Sequence, residues 1–157
     1  YKDKFEYIIE TDNLIDPEGT FIPPMLAQPI IENAIEHGIK HGKEKGMITI
    51  RFGLKRELPL LIPENSFSGD GQGGGLIYLE VTDNGVGREQ SGQIEQGKKG
   101  NHRPMATSIT IERLKVLSRK VNRRLRKFIR MEIVDLYDDA GKPCGTKVEI
   151  VVPTELR

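Results

Sequence analysis

An α+β fold is predicted: a two-layer sandwich with helices on one face of a mixed, mostly antiparallel sheet. Three observations predict it. Five segments have strand character against two with helical character, the strands fall into antiparallel-looking pairs, and one long helix stands between the first two strands. The chain has 157 residues, 36% hydrophobic and 30% charged, which suits one folded domain spanning residues 1–157.

Phe5–Glu10 reads as the first strand, and Asp12–Thr20 as a turn-rich connection. Ile22-Pro23-Pro24 announces a helix, because proline is tolerated in a first turn, and the helix is expected to reach about His41 before Gly42. Met47–Leu54 alternates through Ile48, Ile50 and Phe52, the pattern of a half-buried strand. Lys55–Gly75 is a long connection. Leu76–Val81 is the next strand, stopped by Asp83-Asn84-Gly85.

Arg88–Met105 is rich in Gly, Gln, Lys and Asn and shows no periodicity, which marks a functional or disordered segment. Thr107–Val121 reads as a helix with apolar Ile109, Ile111, Leu114, Val116 and Leu117. Phe128–Tyr137 and Lys147–Val152 form a closing hairpin around Asp138–Pro143.

Composition narrows the function. The net charge is +1, so global charge points to neither nucleic acid nor membrane. The basic stretch Lys115–Arg130 reads as a solvated helix end and turn, since aromatic stacking partners are scarce. One cysteine, Cys144, permits no internal disulfide. No apolar run approaches the roughly 20 residues needed to span a bilayer. The sequence opens at Tyr1 without an initiator methionine and is expected to be a fragment of a longer protein.

Two segments carry candidate chemistry. On a helical wheel of Pro23–Gly42, Ile31, Ala34, Ile35 and Gly38 fall on one side, and Asn33, Glu36, His37 and Lys40 roughly opposite. Asn is a poor helix former, so Asn33 in mid-helix suggests a task such as offering its amide oxygen to magnesium. Periodicity alone is equally met by an amphipathic helix with a solvated polar stripe. His37 and His41 stand four residues apart, but no further ligand set completes a zinc pattern. In Val81-Thr82-Asp83-Asn84-Gly85-Val86-Gly87, a strand-end Asp can accept a hydrogen bond from an exocyclic amine. The glycines let backbone approach a flat ring.

Asn33-Ala34-x-x-His37 followed by Asp83-x-Gly85-x-Gly87 resembles the GHKL (Bergerat) ATP-binding superfamily, which joins gyrase, MutL and the histidine kinases. The stretch Ile22-Pro23-Pro24-Met25-Leu26-x-Gln28-Pro29-x-x-Glu32-Asn33-Ala34-Ile35-x-His37-Gly38 and the closing Gly145-Thr146-Lys147-Val148-Glu149-Ile150 are similar to the LytS-like bacterial sensor histidine kinases. The resemblance implies ATP and Mg2+ as cofactors, Asn33 as magnesium ligand and Asp83 as adenine reader. It places Gly85 and Gly87 along the base, Thr146 in support of Asp83, and His37 and Lys40 near the phosphates. Residues 88–106 become a candidate ATP lid.

It further implies transfer of the γ-phosphoryl to a histidine on a separate dimerisation and phosphoacceptor domain, with a response regulator downstream. The whole protein would be a homodimer, and this chain the cytoplasmic domain of an inner-membrane sensor kinase. The family's acceptor, a His followed by Phe-Leu-Phe-Asn, does not occur here. Hydrolysing relatives place a glutamate base where this chain has Pro29, which favours transfer; Glu32 beside Asn33 keeps hydrolysis open. Glu36 and Ala106 depart from the family pattern. The alternatives are therefore a GHKL-type ATPase or serine kinase, and a degenerate module that only docks nucleotide or partner.

Overall fold

The computed structural model describes residues 4–18, 20, 22, 25–39, 45–55, 76–88, 91, 105–121, 123 and 125–153, with backbone alone at 37, 38, 105 and 106. It is an α+β sandwich. Strands β1 (Phe5–Thr11), β2 (Gly46–Leu54), β3 (Leu76–Asp83), β4 (Arg130–Tyr137) and β5 (Pro143–Pro153) form one five-stranded sheet in the order β1-β2-β3-β5-β4. Helix α1 (Gln28–Asn33) runs into a π-helical turn (Ala34–Ile39), and α2 (Met105–Lys120) packs against α1.

The sheet is antiparallel except between β1 and β2, which run parallel from Phe5↔Gly46 to Thr11↔Phe52. The helix between them supplies the crossover that a parallel pair needs. Alternation sorts the sheet's faces. Ile48 and Ile50 of β2, Leu79 and Val81 of β3, and Ile150 and Val152 of β5 join Ile30, Ala34, Ile39, Leu114, Leu117 and Val121 of the helical layer in one core. Each fully buried aliphatic side chain contributes about 1.5–3 kcal/mol. The opposite face carries charge: Arg51 bridges Glu10 and Glu80, while Lys55 and Arg130 both reach Glu149.

Three expectations for the first helix change. The first helix starts at Gln28, because Met25 has φ +63, a left-handed conformation that a right-handed helix cannot include. Pro29, rather than Pro23 or Pro24, is the first-turn proline. The buried positions also differ from the wheel. They run Leu26, Ile30, Ala34, Ile39, while Ile31 and Ile35 are only half-buried. The last step is five residues because the final turn is π-helical, which rotates the buried stripe relative to a 3.6-residue period. His41 and Gly42 lie outside the described residues.

In α2 only Leu114 and Leu117 of the expected apolar set are buried. Ile109, Ile111 and Val116 are exposed, and Thr110 and Val121 complete the inward stripe. The basic stretch after α2 finishes that helix: Arg126 donates to the carbonyls of Val121 (3.1 Å) and Arg119 (3.2 Å).

Candidate functional site

The site begins at the end of β3. The strand extends through Asp83, two residues further than the alternation alone indicated. Register places Asp83 opposite Ile48 on β2 and Thr146 on β5, and Thr146 opposite Asp135 on β4. Asp83, Thr146 and Asp135 thus form one cross-strand row on the helix-covered face, just past the apolar rows of Val81, Val148 and Ile133.

Asp83 is 6% exposed. Its Oδ1 accepts the Gly85 N–H at 2.8 Å. Burial pushes the carboxyl up to about 6, although the backbone N–H groups of Gly85 and Thr146 both pull it down. A carboxylate offers about four lone-pair sites. Two backbone donors do not use all of these sites, so the carboxylate has capacity for a further donor.

The turn after Asp83 is held on both sides. Asn84 pairs with β2 like an extra strand residue: Met47 N–H donates to Asn84 Oδ1 at 2.6 Å, and Asn84 N–H donates to the Met47 carbonyl at 3.2 Å. Gly145 has φ +146, and a Cβ there would lie 2.0 Å from the Asp83 carbonyl oxygen. Gly87 has φ +76 and sits against Pro143, whose Cβ would lie 2.9 Å from an added methyl. Both positions require glycine. Arg88 then pairs with Asp135, Nε to Oδ1 and Nη2 to Oδ2, each 2.6 Å.

The expected residues fall into two groups. Asp83, Gly85, Gly87 and Thr146 come together at the β3–β5 end through the bonds and register above. Asn33, half-buried, is the last residue of α1, and the π-helical turn that follows packs on β2, β3 and β5. Glu32 is exposed and accepts a hydrogen bond from Gln28 Nε2 at 2.8 Å, a surface pair one helical turn apart. The His37 backbone lies in the π-helical turn, while its side chain and all of Lys40 lie outside the described residues.

Of the candidate lid, 88–106, Met105 and Ala106 belong to the first turn of α2, which shortens the segment at that end. Arg88 and a buried Ser91 are described, and the rest is not. Sequence reasoning gave no role to Asn84, Asp135, Pro143 or Gly145. Asn84, Pro143 and Gly145 each carry a local turn signal, whereas Asp135 in mid-strand carries none.

Among the described residues, no group of three or more His, Cys, Asp or Glu could hold a metal ion, and no helix is long and apolar enough to cross a membrane. No protein-family profile matches the sequence, and no curated protein does. Among solved structures, the chain is similar to the histidine kinase domain from the Erythrobacter litoralis EL346 blue-light activated histidine kinase, at 15% identity and TM-score 0.50. That match covers 95% of this chain and 54% of the other, so this chain spans about half the length of its structural neighbour. The fold of this chain is histidine-kinase-like.

Proposed function

We propose that this chain is the ATP-binding catalytic domain of a sensor histidine kinase, of the GHKL superfamily and its LytS-like branch. One observation carries the reading: a buried Asp83 carboxyl at a strand end, bound by the Gly85 N–H and set in a turn that close packing restricts to glycine at Gly87 and Gly145. The exocyclic amine of adenine is a donor that suits the remaining acceptor capacity of this carboxylate. In this reading Asp83 takes the adenine amine, with Thr146 behind it and Gly85 and Gly87 along the base.

Asn33 offers its amide oxygen to Mg2+, a cation that takes few protein oxygens and keeps phosphate oxygens and water. His37 and Lys40 are the candidates for the phosphate side. The bound ATP supplies a γ-phosphoryl group for a histidine on a separate dimerisation domain, from which a response regulator takes it. The protein's own part is positioning and neutralising charge. The whole protein would be a homodimeric sensor kinase at the inner membrane, with this domain in the cytoplasm.

Two features support transfer over hydrolysis. Pro29 offers no base, and Glu32 is turned to Gln28 on the exposed surface of α1. Calorimetric titration with ATP and Mg2+, followed by phosphate-release measurements on the same sample, tests the proposal. Magnesium-dependent binding that Asn33→Ala abolishes, without steady phosphate release, is expected. Steady turnover would make the chain an ATPase, and absence of binding would make it a docking module.

A further inference from the structure

We propose that Arg88 and Asp135 form a positioning clamp that fastens the exit of the Asp83 loop across β5 to β4 and thereby sets the affinity of the site. The affinity part of this inference rests on the nucleotide reading above; the clamp itself does not. Arg88 lies five residues after Asp83 in sequence, yet its partner sits two strands away in the same cross-strand row. Neighbouring strands are about 4.8 Å apart, so the loop and the Arg88 side chain together cross roughly 10 Å of sheet from Asp83.

The pairing is a fork: Nε and Nη2 each meet one carboxylate oxygen at 2.6 Å. Two parallel bonds fix the guanidinium's direction as well as its distance, which a lysine could not do. The Asp135 side chain is 26% exposed and that of Arg88 53%, so the anchor is the better-buried partner on the rigid strand. Arg88 holds the Asp135 carboxyl below the usual carboxylate range. Between the two ends, Gly87 rests on Pro143 at a φ of +76 that gives the chain its direction toward β4. Gly85 on Asp83, Gly87 on Pro143 and Arg88 on Asp135 are three successive fastenings of the same loop. The first two are local packing and backbone contacts. The third is an ion pair, and among the described residues it is the one that ties the loop to the sheet's far strand.

The test compares wild type, Arg88→Ala, Asp135→Asn and the charge-swapped pair Arg88→Asp with Asp135→Arg. Hydrogen exchange at the amides of 85–88 is read without ligand, and ATP–Mg2+ affinity by calorimetry. Both single variants should raise exchange at those amides by about three- to tenfold and weaken nucleotide binding by a similar factor, with the swap recovering much of both. Unchanged exchange in the single variants overturns the clamp whatever the nucleotide result. Raised exchange that the swap rescues, in a chain that binds no nucleotide, upholds the clamp and removes the nucleotide reading instead. Tighter ATP binding in Asp135→Asn would show Arg88 to be a phosphate ligand held back by Asp135, and would overturn the positioning role.

Discussion

Asp83 and Thr146 face each other across β3 and β5, and the Thr146 backbone N–H donates to the carboxylate that its strand helps to bury. The pair defines the electrostatics of the site. Burial raises the proton affinity of Asp83, and two backbone donors only partly offset it.

Stability should therefore depend on pH in a stated direction. The folded chain holds the Asp83 proton more tightly than the unfolded chain, whose carboxyl titrates at roughly 3.9. The stabilising contribution is complete below that value and is lost as pH rises through about 6. The loss amounts to about 2–3 kcal/mol. Asp83→Asn does not titrate, so urea unfolding from about pH 4 to about pH 7 should show the variant gaining about that much on wild type. A constant difference across this range would contradict the assigned cause.

Ligand binding should show the opposite dependence. An amine donor needs the ionised carboxylate, so nucleotide affinity should fall as pH drops through about 6. At about pH 5 the loss should be about tenfold relative to about pH 7.5, and Asp83→Asn should show no such step. Calorimetry at the two pH values measures it.

Gly145 should tolerate no side chain. Alanine would place Cβ 2.0 Å from the Asp83 carbonyl oxygen at a backbone φ of +146. Gly145→Ala should cost about 3 kcal/mol or more in urea unfolding and weaken nucleotide binding by displacing Asp83.

Asn84 anchors the same turn through its side chain. Asn84→Ala removes the acceptor of the 2.6 Å bond from Met47 and should cost about 1 kcal/mol. Asn84→Asp keeps an acceptor at that position and should recover most of the loss in the same unfolding measurement.

Much of the fold was legible because its signals are local. The alternation of Ile48, Ile50 and Phe52 marked β2, and Asp83-Asn84-Gly85 marked the end of β3. What escaped depends on partners far away in sequence. Tyr7-Ile8-Ile9 reads only as an apolar strand, and nothing local says that it runs parallel to β2 at the sheet's edge. The π-helical turn after Asn33 shifts the buried stripe from a four-residue to a five-residue step, which a fixed helical period cannot register. Asp83 stands out in the sequence because motif and strand end coincide. Asp135 sits mid-strand with no neighbouring signal, and only the register of β4 on β5 brings it to the same row.

In the proposed function Asp83 reads an exocyclic amine. Inosine triphosphate, which carries a carbonyl where ATP carries that amine, tests it most directly in paired titrations of wild type and Asp83→Asn. Wild type should bind ATP about 100-fold or more tightly than inosine triphosphate, because the analogue leaves a buried carboxylate facing a second acceptor. Asp83→Asn should largely lose the preference. Equal affinity of the wild-type chain for both nucleotides would contradict the account.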